Sequence, residues 1–350
     1  MVVTGGAGFI GVNLADRLLG SGEKVLVFDN LSRPGVEDNL HWLRTRHGDF
    51  LQHIDGDVRA AAEVEAAVDG SSFVFHLAAQ VAVTTSLRQP LEDHGINVIG
   101  TLNVLEAIRR CEPRPGLMFA STNKVYGALP DVGMRRTNKR CVPEDDEVRE
   151  HGIGEQRPLD FVSPYGCSKG AADQYVLDYC RSFGIAATVL RMSCIYGPHQ
   201  QANSDQGWVA HFLRTALGGN TLTIFGDGRQ VRDVLYIDDF VDALLATRRE
   251  LPRLSGSAFN IGGGPANTLS LLEMIDIAEQ LNRQPVDLHF SDPRPGDQLY
   301  FAADHRRFTG ATGWRPRTLP GEGIGHVWSW LLEMNRKPAE PALRQGERLA

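Results

Sequence analysis

The chain has 350 residues, 42% of them hydrophobic and 23% charged, enough to bury a sizeable core and ordinary for a globular protein. A formal net charge of -7 removes the electrostatic reason to expect nucleic acid or an anionic membrane as partner, and no apolar run approaches the roughly 20 residues of a membrane helix. Five cysteines in an odd set without metal-site spacing (Cys111, Cys141, Cys167, Cys180, Cys194) read as reduced thiols of a cytoplasmic protein; a strand pattern at the first residues leaves no room for a signal peptide.

Val2-Val3-Thr4 reads as a short strand, followed by a glycine turn and a helix from about Phe9 to Leu19. A second apolar run, Lys24 to Asp29, leads into a polar loop. The runs Phe73 to Ala78 and Gly116 to Ser121 repeat the pattern, with an amphipathic helix near Ile96 to Arg110 between them. Ala186 to Met192 adds a strand after the helix Tyr165 to Phe183. Strands alternating with helices of this length specify an α/β fold, a doubly wound parallel sheet covered on both faces. Past Tyr196-Gly197-Pro198 the rhythm changes to loops rich in Gly, Pro, Asp and Gln, with shorter helices at Trp208 to Leu217 and Ser270 to Leu281. The expected division is a dinucleotide-binding domain over 1–197, to which 234–262 returns, a smaller C-terminal α/β substrate domain over 198–233 and 263–336, and a flexible tail over 337–350.

The first turn reads Thr4-Gly5-Gly6-Ala7-Gly8-Phe9-Ile10-Gly11. Gly5, Gly8 and Gly11 fall three apart between a strand and a helix, where backbone can approach a pyrophosphate at a helix N-terminus. Asp29, eighteen residues after Gly11 at the end of the second run, suits the adenosine ribose hydroxyls and would repel a 2′-phosphate. NAD is therefore favoured over NADP, although Arg33 nearby softens that preference.

Ser163-Pro164-Tyr165-Gly166-Cys167-Ser168-Lys169 begins a helix, with Ser163 as N-cap and Pro164 in the first turn. Tyr165 and Lys169 share one helical face, where an ammonium can stabilise a phenolate and make the tyrosine an acid/base. Thr122, at the C-terminal end of the strand running through Ala120, sits where α/β enzymes hold ligands. Arg232 and Arg294 carry guanidinium forks suited to a diphosphate. The 11 histidines show no metal spacing, and no metal is expected.

These residues occur in a familiar order. The glycine loop, His76-Leu77-Ala78-Ala79, Asn97, the Ser121-Thr122 strand end, the Tyr165/Lys169 pair and Tyr196-Gly197-Pro198 resemble the extended short-chain dehydrogenase/reductases, over roughly residues 1 to 335. The resemblance implies a Rossmann-type sheet. Within that family the chain is most similar to the 2-epimerases of CDP-sugars. The matches are Phe28 to Arg33, Asn39 to Leu43, Ser121 to Gly127, Ser163 to Tyr175 and Asp205-Gln206-Gly207-Trp208.

What the resemblance implies is transient oxidation of the sugar at C2. Tyr165 takes the hydroxyl proton while hydride passes to NAD; the 2-keto sugar turns over, and the same hydride returns to its other face. Lys169 lowers the Tyr165 pKa and holds the nicotinamide ribose, and Thr122 positions the reacting oxygen. Cofactor contacts are implied for Gly5, Gly8, Phe9, Ile10, Gly11, Asp29, Asn30, Ser32, Arg33, Asp57, Val58, Leu77, Ala78, Ala79 and Asn97, besides Tyr165 and Lys169. Substrate contacts are implied for Gln80, Thr122, Asn123, Lys124, Gln206, Arg232 and Arg294. The implied partner is a nucleotide-sugar, a CDP-sugar by preference, and the implied assembly is a homodimer or homotetramer.

Two departures from the family pattern, Cys194 in place of Asn and His199-Gln200-Gln201 in place of Arg-Gln-aromatic, fall near the expected substrate entrance. A UDP-hexose 4-epimerase shares every general motif and is the main alternative. A 4,6-dehydratase carries Asp-Glu where this chain has Asn123-Lys124. A non-catalytic NAD-sensing module would not keep the Tyr/Lys pair.

Overall fold

The computed structural model describes residues 1–294 and 296–336; the expected tail over 337–350 lies outside them. Its strands are β1 (Val2–Thr4), β2 (Val25–Phe28), β3 (Leu51–Ile54), β4 (Phe73–His76), β5 (Gly116–Thr122), β6 (Met134–Arg136), β7 (Cys141–Pro143), β8 (Ala187–Met192), β9 (Cys194–Tyr196), β10 (Leu222–Phe225), β11 (Val231–Tyr236), β12 (Ala258–Ile261), β13 (Thr268–Ser270), β14 (Leu288–Ser291) and β15 (Tyr300–Phe301). The helices are α1 (Phe9–Gly20), α2 (Val36–His47), α3 (Ala61–Val68), α4 (Val83–Arg88), α5 (Pro90–His94), α6 (Gly100–Arg110), α7 (Asp146–His151), α8 (Ser163–Phe183), α9 (Trp208–Leu217), α10 (Ile237–Arg249), α11 (Leu251–Leu254), α12 (Leu271–Asn282), α13 (Arg306–Thr312) and α14 (Pro320–Arg336).

Seven strands form one parallel sheet in the order β12-β8-β5-β4-β1-β2-β3. Alternate residues of each strand bury into different cores. Val3, Phe73, Phe75, Met118 and Leu190 face α1, α2 and α10; Val2, Val74, Leu117, Phe119 and Val189 face α3, α6 and α8. Apolar residues on both faces are why these runs lack the polar alternation of a half-exposed strand. The chain winds outward in both directions from the gap between β1 and β4, and such a switch point is where open α/β sheets hold ligands.

Apart from the helix expected near Ile96 to Arg110, the strands and helices expected in the first half appear within one or two residues of their predicted limits. Between Asp29 and Phe73, where the sequence predicts only a polar loop, the structure has α2, β3 and α3. β3 is a sheet edge with an exposed Gln52 and a half-buried His53, so it needs no apolar run. The predicted helix near Ile96 to Arg110 starts earlier, at Pro90, and contains one π turn, Gly95–Ile99. Ser163 has a φ of 73° and its Oγ accepts the Gly166 N–H at 3.3 Å, so it caps the first turn of α8.

Beyond β9 the chain builds smaller sheets. β11 pairs with β13, β15 and β9, whereas β12 joins the edge of the large sheet beside β8. β10 pairs with β14, and β6 with β7. α12 opens with a capping box between Ser270 and Glu273, which satisfies two otherwise unpaired backbone donors.

Candidate active site

A cavity of about 820 Å³ runs along the C-terminal ends of β1, β2, β4 and β5 and on under α9, within the size range of small-molecule and cofactor sites. Its floor is the first glycine turn. A Cβ at Gly11 would stand 2.3 Å from Gly5 O and 2.5 Å from Gly6 Cα, and one at Gly5 would stand 2.7 Å from Ala78 N. Only glycine lets β1, β4 and α1 meet this closely. Thr4 Oγ1 ties the two strands by accepting the Ala78 N–H at 3.2 Å and bonding His76 Nδ1 at 2.7 Å. Burial drives the His76 pKa down to about 3, with the Lys169 charge adding to it. The ring is therefore neutral and serves the sheet end.

Asp29 accepts Ala7 N–H at 3.0 Å through Oδ2 and Leu31 N–H at 2.9 Å through Oδ1. Each oxygen keeps lone-pair capacity, and the side chain lines the cavity. The glycine turn, the α1 N-terminus and this carboxylate together fit the pyrophosphate and adenosine ribose of a dinucleotide. Asn30 donates to Asp57 at 3.1 Å, and Asp57 is also gripped by Arg59. Arg33 donates to Gln206 across the cavity mouth, linking the ribose end to the loop before α9.

Thr122 ends β5, and its Oγ1 accepts the Lys124 N–H at 3.2 Å. Tyr165 is 8% exposed, and its backbone N–H donates to Ser86 Oγ at 3.1 Å. The register of α8 against the sheet is set two turns further along, by Asp173. That carboxylate accepts Arg191 Nε and Nη2, each at 2.9 Å, and Ser121 Oγ at 2.9 Å. Tyr165, Lys169 and Asp173 are spaced four apart on one helical face; the buried ion pair therefore orients the pair ahead of it.

The electrostatics differ from the simple expectation that Lys169 makes Tyr165 acidic. Burial pushes the phenol up to about 12, its hydrogen bond with Thr122 pulls back, and the Asp93 charge adds to the rise. Burial also drives the Lys169 ammonium down to about 7, against Asp173 and Asp93.

At the other end of the cavity, Arg232 Nη2 and Lys124 Nζ meet Asp297 Oδ1 at 2.6 and 3.6 Å. Burial would raise the Asp297 carboxyl, but Arg232 and Lys124 hold it below the ordinary range. Arg294 lies 3.9 Å over the Phe225 ring and donates to Ser204 O at 2.8 Å.

Of the residues predicted from sequence, Gly5, Gly8, Phe9, Ile10, Gly11, Asp29, Asn30, Ser32, Arg33, Asp57, Val58, Leu77, Ala78, Ala79, Gln80, Thr122, Lys124, Tyr165, Lys169, Gln206, Arg232 and Arg294 all line this one cavity. Asn97 and Asn123 do not. Asn97 is buried behind the wall, where its Oδ1 accepts Gln80 N–H at 3.0 Å; Asn123 is buried beside Thr122, whose hydroxyl lies 3.4 Å from its Oδ1. Cys194 and Gln200 line the cavity, but His199 packs outside it in tilted contacts with Trp42, at 4.2 Å, and Trp330, at 5.7 Å. Sequence reading missed Asp297, Trp208 and Phe225 as lining residues. A carboxylate three residues beyond Arg294 was the one local signal for Asp297.

Residues 1–262 match the NAD dependent epimerase/dehydratase family. The chain is 42% identical to a CDP-paratose 2-epimerase of Salmonella typhi over 339 residues, covering 94% of this chain and 98% of that protein. It is 32% identical to a UDP-glucose 4-epimerase of Mycolicibacterium smegmatis, covering 92% and 95%. The Thermus thermophilus UDP-glucose 4-epimerase, solved in complex with NAD, superposes with a TM-score of 0.77 at 29% identity, covering 95% and 98%.

Proposed function

This chain belongs to the NAD dependent epimerase/dehydratase family, and from that premise we propose that it is a nucleotide-sugar epimerase inverting C2 of a CDP-hexose, of the CDP-paratose to CDP-tyvelose type. The reaction class is carried by one observation: Tyr165 and Thr122 open into the same cavity as the Gly5–Gly11 turn. The choice of C2 and of CDP rests on the 42% identical relative against the 32% identical 4-epimerase.

NAD, when bound, supplies the acceptor and then the donor of hydride at the sugar carbon. The chain's own residues do the rest. Thr122 orients the reacting hydroxyl toward Tyr165, and Tyr165 Oη takes its proton and later gives one back. Burial of the phenol keeps water out of that exchange. Lys169, one turn along, provides the positive charge that a phenolate needs. Arg232 and Arg294 take the diphosphate, with Asp297 holding Arg232 in line, while Lys124, Gln80 and Gln206 face the sugar and base. The same reading divides the chain into a cofactor unit over 1–197, joined by 234–262, and a substrate unit. It also places the enzyme in the cytoplasm as a homodimer or homotetramer.

The test is incubation with CDP-paratose, CDP-glucose and UDP-glucose, with sugar products assigned by NMR. C2 inversion of a CDP-sugar is the expected result. Inversion at C4 of UDP-glucose alone would sink the proposal in favour of a 4-epimerase.

A further inference from the structure

Lys169 is 3% exposed, and its Nζ lies 4.2 Å over the Phe119 ring. Among the described residues no carboxylate stands within ion-pair distance of it. Burial therefore works against the ammonium, and the charge must be held by carboxylates further off. Asp173 is the stronger of the two, although it shares its charge with the Arg191 fork. The other is Asp93, at the end of α5.

Asp93 is 1% exposed. Its Oδ1 accepts Asn97 Nδ2 at 3.2 Å, and among the described residues its Oδ2 has no donor within hydrogen-bond distance. Among the described residues no cation pairs with it directly. A buried carboxylate oxygen without a partner is costly, and its persistence calls for an explanation. Asn97 sits on the π turn Gly95–Ile99 that follows α5, an irregularity often found at functional sites. Its Nδ2 is also 3.0 Å from Ser168 Oγ, and that hydroxyl donates to Tyr165 O at 3.2 Å. The path Asp93–Asn97–Ser168–Tyr165 thus locks the carboxylate to the turn of α8 that carries both working side chains.

We infer that Asp93 is a positioning residue of the proposed reaction: its buried carboxylate keeps the Lys169 side chain in the ammonium form on which Tyr165 depends. This rests on Tyr165 and Lys169 acting as the working pair. The charged and titratable groups around Asp93 are few. On α8 they are Lys169, Tyr165 and the Asp173 already bound to Arg191. His76 on β4 is neutral, and Arg88 of α4, Glu92 and His94 are exposed. Burial raises the Asp93 carboxyl, with the Ser168 hydroxyl, Lys169 and His94 pulling it back; the coupling to Lys169 is reciprocal.

The chain holds five lysines, Lys24, Lys124, Lys139, Lys169 and Lys337, so ε-¹³C lysine labelling of the NAD-loaded protein isolates one signal, identified by its loss in Lys169→Arg. Asp93→Asn keeps an acceptor for Asn97 and removes the charge. The Lys169 midpoint is expected to fall by about one pH unit in Asp93→Asn and to stay within a few tenths in Asp93→Glu. The alkaline limb of the pH–turnover profile moves down with it, and turnover above that limb drops roughly tenfold. A role in folding alone would lower activity at every pH without moving either midpoint. If Asp93→Asn does not fold, Asp93→Ser takes its place. An unmoved Lys169 midpoint in a folded, charge-free variant overturns the inference. If the midpoint moves but the wild type inverts no CDP-sugar, the substrate reading fails and the role of Asp93 stands.

Discussion

Replacing Asp29 by Asn is the most direct probe of the cofactor site. Each carboxylate oxygen accepts one backbone N–H, at 3.0 Å from Ala7 and 2.9 Å from Leu31, which leaves lone pairs facing the cavity for the two ribose hydroxyls. An amide can offer only one oxygen. Whichever way it turns, a backbone N–H is left facing an NH₂ group, and one charge-assisted bond to the ribose is lost. Such a bond contributes roughly 1.5–3 kcal/mol, so NAD affinity should fall about 10- to 150-fold. The loosened Ala7 contact adds to this, because it shapes the glycine turn. Calorimetric titration of the nucleotide-freed protein with NAD and NADP would measure both the loss and a narrowed preference for NAD. The pH dependence has a definite sign. Burial raises the Asp29 carboxyl, against the Leu31 and Ala7 N–H groups and His53, so wild-type affinity falls with decreasing pH from above the usual carboxylate range. The Asn variant lacks that dependence. A change in affinity below twofold would remove Asp29 from the ribose site.

Tyr165→Phe removes the acid/base and should lower turnover by at least roughly 10²- to 10⁴-fold, while NAD released on denaturation stays at wild-type levels; appreciable turnover would refute its role. Gly11→Ala places a methyl against backbone atoms of Gly5 and Gly6, which cannot swing away, so the purified variant should carry no NAD. Recovery of a wild-type NAD content would show that the turn tolerates opening. Burial raises the Asp233 carboxyl to about 6, against hydrogen bonds from Ser193, Ala303 and Gly264. The folded state then holds this proton more tightly than the unfolded chain does. Its contribution is fully present below the unfolded pKa of about 3.9 and is lost as pH rises through about 6. The loss is about 3 kcal/mol at neutral pH. In urea unfolding between pH 4.5 and 7 the wild type should lose stability relative to Asp233→Asn; a difference independent of pH would contradict this.

The sequence alone determined whatever depends on near neighbours. Glycines three apart after a strand, a carboxylate ending the next run, a hydroxyl at the tip of β5 and a Tyr/Lys pair one turn apart are local patterns, and backbone geometry and helical periodicity give them meaning without knowledge of the rest. Apolar runs long enough to be buried on both faces made the parallel sheet legible, and for the same reason edge strand β3 was not. Tertiary structure decided the partners and the charges. Asp297 reaches Arg232 and Lys124, Asp93 is tied through Asn97 and Ser168 to the turn of Lys169, and His199 leaves the cavity for Trp42 and Trp330. Even the direction of the Tyr165 pKa came from burial and not from the lysine beside it in the helix. Coulomb energy and desolvation depend on distance and on what excludes water, and both are set by segments that meet only when the chain has folded.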